Sequence, residues 1–232
     1  MNLSKFYRDG TLSKLLINFL FYSEKNIRKC LELCSLCTKY VAFKDYFYKV
    51  RLAQCYYALG MYRDSEKQLK SCLQNHGNDI SLIPIYLYLS KIYVKLDQPK
   101  NAINCYNLGL LRLHHRQGDI SLILGKARIY ELLNDIQAST YLYKDVLKFE
   151  ASNIEAMACL GSQYFYLEQY EMALQFYKRL LQIGLQNSEL WNNIALCAYY
   201  CKQYDIVLQC FKQALNLCND DDLLLADVWY NI

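Results

Sequence analysis

Proline and glycine are scarce in this chain, with 2 Pro and 8 Gly among 232 residues. So few breakers and turn formers argue against long loops and against a β-rich fold. Charge of one sign is missing too. Lys and Arg are scattered among Asp and Glu, the net charge is +4, and no basic block offers a footing to nucleic acid. Long apolar runs are also lacking. The longest near the start, "LLINFLFY" at 15–22, falls far short of the roughly 20 residues that span a bilayer. Lys25, Arg28 and Lys29 follow it closely and no small-x-small cleavage site appears, so an amphipathic helix is expected there rather than a signal peptide. Met1-Asn2 is not a myristoylation start and "WYNI" is not a prenylation end, so any membrane role is expected to be indirect. No phosphate-cradling glycine loop, H-E-x-x-H or G-x-S-x-G occurs. No enzyme, cofactor or metal is therefore expected.

What the chain does have is apolar surface, cysteine and tyrosine. Apolar residues make up 54% and charged residues 21%, a balance that folds rather than stays disordered. Among the 11 cysteines, Cys30, Cys34 and Cys37 in "KCLELCSLC" could pass for a metal knuckle. Zinc sites pair such a knuckle with a second one or with a histidine pair, and none follows. Cys30 and Cys34 are one helical turn apart among leucines, so they read as buried small hydrophobes. The odd count and the missing secretory signal favour a reducing compartment. His114 and His115 are adjacent and would point about 100° apart on a helix, which suits a solvated helix end better than a ligand pair.

The 23 tyrosines find their place once the chain is searched for a period. "QYE" ends at Glu171 and "QYD" at Asp205, 34 residues on. At that spacing Gly161 aligns with Ala195, Ala173 with Val207, Tyr177 with Phe211, and Leu180-Leu181 with Ala214-Leu215. One period earlier stand Ala127, Tyr130, Tyr143 and Val146-Leu147. Two further copies, each with three inserted residues, carry Ser90, Tyr93, Ala102 and Tyr106, then Ala53, Tyr56, Ser65 and Leu69. The pattern resembles the tetratricopeptide repeat, a helix, a tight turn and a second helix. It predicts an all-α fold, a right-handed superhelical solenoid of antiparallel helix pairs, with repeats at 46–79, 83–116, 120–153, 154–187 and 188–221.

The small residue of each repeat (Ala53, Ser90, Ala127, Gly161, Ala195) lets two helices approach closely. The large aromatic of the second helix fills the groove beside it, and tyrosine does so while keeping a polar tip. Gly60 falls between the helices of the first repeat, and Pro99 and Pro84 open helices where a missing N–H costs nothing. Asp135, Glu171 and Asp205 sit near the starts of second helices and complement the helix dipole. Residues 1–45 read as a helical hairpin or cap, "LSKLLINFLFY" then "NIRKCLELCSLCTKYV". At the other end 226–232, "ADVWYNI", reads as the start of a truncated sixth repeat, with Trp229 matching Trp191. A solenoid that stops there leaves an apolar face uncovered, so a fragment of a longer protein is expected.

Several stretches go beyond what a generic repeat demands. They include "CYYALGMYRDSEKQLKSCL", "YLYLSKIYVKLDQPKNAI", "ARIYELLND", "IEAMACLGSQYFY" and "ALQFYKRLLQIG". On these, residues 3–232 resemble the tetratricopeptide-repeat subunit family of the BBSome, the Bardet–Biedl syndrome coat complex of cilia. Members of that family carry a long region before this segment and further repeats after it. The resemblance implies a non-catalytic scaffold that supports trafficking of membrane proteins to and from the cilium and cilium assembly. It implies the other coat subunits as partners and, indirectly, a small Arf-like GTPase and membrane cargo. It also implies a location in the cytoplasm, the cilium and its basal body or centrosome.

In such arrays the first helices line a groove. The fifth and ninth positions of each repeat are expected to face it: Val50 and Gln54, Leu87 and Lys91, Leu124 and Arg128, Ala158 and Ser162, Asn192 and Leu196. Gln54, Lys91, Arg128, Ser162 and Asn192 are the polar members of this expected partner-binding set. Chaperone-binding repeats hold a terminal carboxylate with Lys, Asn and Arg spread over three repeats. Here only Lys91 and Arg128 are in place, with no Asn on the repeat before them, which disfavours a chaperone cofactor. An adaptor of another assembly, such as intraflagellar transport or a cell-cycle ligase, is the runner-up.

Overall fold

The computed structural model describes residues 6–41, 45–75, 82–112, 119–218 and 221–232. His114 and His115 lie outside the described residues, as do the last residues of the first two repeat windows. The described chain is helical and contains no strand. It opens with α1 (Gly10–Asn18), which runs into a π-helical stretch (Phe19–Ser23), and α2 (Ile27–Tyr40). Ten helices follow in pairs: α3 (Tyr46–Ala58) and α4 (Tyr62–Asn75), α5 (Ile83–Lys95) and α6 (Pro99–Arg112), α7 (Ile120–Leu132) and α8 (Ile136–Phe149), α9 (Ile154–Tyr166) and α10 (Tyr170–Gln182), α11 (Ser188–Tyr200) and α12 (Tyr204–Leu217). The last helix, α13 (Asp222–Asn231), begins earlier than the sixth-repeat signature at 226. Asp221 is the reason: its carboxylate accepts from the N–H groups of Leu223 (3.1 Å) and Leu224 (3.4 Å), capping the helix there. Two compact units result, Met1–Ile129 and Tyr130–Ile232.

The turns inside the five pairs share one backbone device. Gly60, Asp97, Asn134, Glu168 and Lys202 each have a positive φ, between 57° and 79°. In each case the next residue sends its N–H back to the carbonyl five residues earlier. The bonds run from Met61 to Tyr56 (2.9 Å), Gln98 to Tyr93 (2.8 Å), Asp135 to Tyr130 (2.9 Å), Gln169 to Tyr164 (2.9 Å) and Gln203 to Ala198 (2.9 Å). This is the left-handed cap that ends a helix by satisfying its orphan carbonyls. Only Gly60 announces it in the sequence. At the other sites the hydrogen bonds offset the cost of holding an L-residue there. Lys202→Gly should therefore raise the unfolding midpoint, by about 0.5–1 kcal/mol, and Gly60→Ala should lower stability by about 1 kcal/mol. Urea titration of both variants tests this, and a lower midpoint for Lys202→Gly would sink it.

Close approach between helices follows the small residues. Ser65 Oγ, on α4, donates to the Ala53 carbonyl on α3 at 2.6 Å. Ser90 Oγ, on α5, donates to the Ala102 carbonyl on α6 at 3.4 Å. A Cβ built on Gly125 would lie 2.5 Å from the Tyr106 hydroxyl. One on Gly161 would lie 2.7 Å from the Tyr177 ring. Each ring sits close against glycine backbone, and a side chain there must displace it. In unit 1, one core runs from Ala53 to Ile129 through Tyr86, Tyr93 and Tyr106, and a second packs α1 and α2 on α3. Unit 2 has a continuous core from Met157 to Val228. Cys30, Cys34 and Cys37 are fully buried, filling the second core as small hydrophobes.

The segment "LSKLLINFLFY", residues 12–22, read as one amphipathic helix, is less regular than expected. Its final turn widens to a π-helix, and Leu12, Leu15, Phe19 and Tyr22 remain exposed while Ser13, Ile17 and Leu20 are buried. No helix among the described residues is long and apolar enough to cross a membrane.

Candidate functional site

The groove-facing set divides on inspection. In unit 1, Gln54 departs from the expectation. It is only 6% exposed, and its Oε1 accepts from Arg51 at 2.8 Å. Arg51 also donates to the Tyr22 hydroxyl at 2.8 Å and lies over the rings of Phe21, Tyr22 and Phe47 at 4.9–5.6 Å from their centroids. Arg51 thus links the π-helical stretch of the N-terminal hairpin to the position that repeat geometry alone assigns to the groove. Leu124 is buried too, while Val50 and Leu87 are half-buried. Lys91 and Arg128 are exposed. The Lys91 ammonium sits 5.5 Å from the Tyr88 ring centroid, a cation–π contact that leaves its charge at the surface.

In unit 2, Ala158, Ser162 and Leu196 are half-buried. Asn192 is engaged, since its Oδ1 accepts from Asn231 of α13 at 3.1 Å. Gln54 and Asn192 are therefore hydrogen-bonded to side chains of the chain itself, and Lys91 and Arg128 are the two cations of the set.

Unit 2 carries a surface that sequence reading overlooked. At the turn ends of α9–α12 a run of aromatic rings passes from helix to helix. Tyr166 meets Phe165 edge-on at 5.8 Å, and Phe165 meets Tyr170 at 5.4 Å and Tyr200 at 5.7 Å. Tyr170 and Tyr200 stack at 4.6 Å, and Tyr199 continues the run to Tyr204 at 5.8 Å. Tyr166 is 79% exposed, and Tyr199, Tyr200 and Tyr204 are each at least half exposed. Beside this edge lies a cleft of about 520 Å³, lined by Leu196, Tyr204, Leu208, Phe211 and Tyr230 among others. Rings that stack on one another lose little side-chain freedom on docking, which is why tyrosine suits interfaces. A signal was available: Tyr166 and Tyr200, and Tyr170 and Tyr204, each recur at the 34-residue period on either side of the turn.

Unit 1 has a cleft of about 510 Å³ between α4, α5 and α6, with an ion pair on its wall. Lys70 pairs with Glu66 at 2.7 Å, and the Tyr93 hydroxyl donates to Glu66 at 3.0 Å. The Glu66 carboxylate, and then Tyr93, hold Lys70 above the ordinary lysine range. The charges neutralise one another, so the arrangement braces α4 against α5. Among the described residues no group of three or more His, Cys, Asp or Glu could hold a metal ion.

Comparison with known proteins places this geometry. No family profile matches the chain. The mouse protein named tetratricopeptide repeat protein 8 is 50% identical over 232 residues, covering 100% of this chain and 44% of the mouse protein. The protein of the same name from Caenorhabditis elegans is 37% identical over 232 residues, again 100% of this chain and 44% of the relative. The chain thus spans less than half the length of these curated relatives. Among solved structures, Pseudomonas aeruginosa PilF aligns with a TM-score of 0.73 at 9% identity, covering 100% of both chains. PilW, a type IV pilus biogenesis factor, aligns with a TM-score of 0.73 at 11% identity over 94% of this chain and 97% of that one. At such identities the likeness shows the fold alone, and the fold is that of serial tetratricopeptide helix pairs.

Proposed function

We propose, from the premise that this chain belongs to the tetratricopeptide repeat protein 8 family, that it is a non-catalytic scaffold subunit of the BBSome coat. In this reading it supports the traffic of membrane proteins to and from the cilium, and cilium assembly. Its partners are the other coat subunits. A small Arf-like GTPase and membrane cargo are reached through the assembled coat. It works in the cytoplasm, at the basal body or centrosome and in the cilium. The observation that carries the reading is identity of 50% along the whole chain. The exposed ring edge of unit 2 supports it, because apolar surface of this kind on a folded domain marks a docking site.

Tagged purification from ciliated cells with mass spectrometry of co-purifying proteins tests the proposal. Near-equal recovery of the other coat subunits is the expected result. Recovery of a different complex, such as an intraflagellar transport assembly, would overturn it. Recovery of chaperones alone would favour the cofactor reading, for which Lys91 and Arg128 supply only part of a carboxylate clamp. The double reversal Lys91→Glu with Arg128→Glu should lower incorporation severalfold, since opposing charge at an interface costs affinity and on-rate. Unchanged incorporation would count against a groove contact at these two helices.

A further inference from the structure

Three sulfur atoms meet under the N-terminal hairpin of unit 1. Cys30 and Cys34 lie one turn apart on α2, Cys55 comes from α3, and all three are fully buried. The Cys55 thiol donates to the Cys30 sulfur at 3.4 Å. Cys30 in turn donates to the Ile17 carbonyl of α1 at 3.8 Å. The two sulfurs of neighbouring helices are thus in contact, with a covalent bond of about 2.05 Å as the next closer state.

Their surroundings distinguish the three. Hydrogen bonds from Cys34 and Cys55, and the charge of Arg51, hold the Cys30 thiol below the ordinary range. The contact with Cys30 pushes Cys34 the other way. Arg51 is fixed near the cluster by the three rings and the Tyr22 hydroxyl described above. The cover is thin as well. Of the nine residues of α1 only Ser13 and Ile17 are buried, and of the π-helical stretch only Leu20. Opening so small a segment costs less than global unfolding, and it admits a molecule the size of a peroxide.

We propose that Cys30 and Cys55 form a peroxide-responsive dithiol site that closes to a reversible disulfide between α2 and α3. The Cys30 thiolate attacks one peroxide oxygen, the O–O bond breaks, and the departing hydroxide takes up a proton and leaves as water. Cys30 is then a sulfenic acid. The Cys55 sulfur attacks it, the S–S bond forms as the S–O bond breaks, and the hydroxyl leaves with the Cys55 proton as a second water. Two thiols and one peroxide give one disulfide and two waters. A small dithiol reverses the step by exchange. The bond fastens the N-terminal hairpin to the first repeat and closes the 30–55 loop in the unfolded chain, so it also stabilises the fold.

The test is peptide mapping of the full chain after mild hydrogen peroxide treatment without denaturant, with remaining thiols blocked by alkylation. The expected result is a dominant Cys30–Cys55 bridge, absent after dithiothreitol, with a melting temperature several degrees above that of the reduced chain. A dominant Cys30–Cys34 bridge, bridges spread evenly over the other cysteines, or bridging only in denaturant would overturn the proposal. In Cys55→Ala, Cys30 should be left as a sulfenic acid that dimedone labels, and labelling of Cys34 in its place would overturn the assignment of the attacking thiol. The map of the unaltered chain needs no variant, so it decides the matter even where Cys55→Ala does not fold.

Discussion

Gly161→Val is expected to cost unit 2 about 3 kcal/mol, at the upper end of what overpacking a core exacts. The first added carbon would lie 2.7 Å from Cε1 and 2.9 Å from Cζ of Tyr177. That ring is 4% exposed and lies in the core with Leu174, Leu180 and Ile194, so it has no solvent to swing into. Alanine makes a sharper comparison. It brings the same first carbon but gains about 1 kcal/mol of helix propensity over glycine. Gly161→Ala should therefore be only mildly destabilising, by about 1 kcal/mol net. Tyr177→Leu should recover part of the valine penalty, since the two sites are in contact and will not be additive. Urea midpoints for the single and double variants measure this. A Gly161→Val chain as stable as the parent would show that the ring moves freely.

The second large effect is expected at the ring edge. Tyr166→Ser with Tyr204→Ser removes two side chains that are 79% and 59% exposed. Neither contributes a buried core, so the melting temperature should shift by no more than a few degrees. Recovery of co-purifying partners should fall by about 30-fold or more, the loss that attends truncation of an aromatic hot spot of about 2 kcal/mol. Tyr141→Ser, 65% exposed on α8 and outside the chain of ring contacts, is the control. Equal recovery from the edge variant and the control would remove the edge from the interface.

How much of this was legible beforehand depends on which contacts set each feature. The helix pairs are local: period, small residues and turn position all lie within one repeat. Tyr106 and Tyr177 could be assigned to packing from spacing alone, and both are buried. Spacing alone does not mark Tyr166, Tyr199, Tyr200 and Tyr204 as exposed. A stripe of tyrosines at helical spacing reads as core, but these flank the turn, where helix ends reach past the neighbouring layer. Two groove positions, Gln54 and Asn192, depart for a different reason. Gln54 is buried and held by Arg51, which the Phe21 and Tyr22 rings of the π-helical stretch anchor, and no repeat template knows what precedes the first repeat. Asn192 is engaged by Asn231, which is 39 residues away and on a helix that begins at a cap outside the pattern. The left-handed turn residues were invisible at Glu168 and Lys202 because the backbone, not the side chain, selects that conformation.

Those turns have a bearing on synthesis. Each links helices adjacent in the chain through a bond spanning five residues, so a hairpin can close as soon as its own residues exist. A ribosome adding about 5–20 residues each second takes seconds to deliver one repeat, while helix formation and local loop closure take microseconds or less. Every repeat therefore has time to fold onto its predecessor before the next leaves the exit tunnel, and its apolar face waits only for the next arrival.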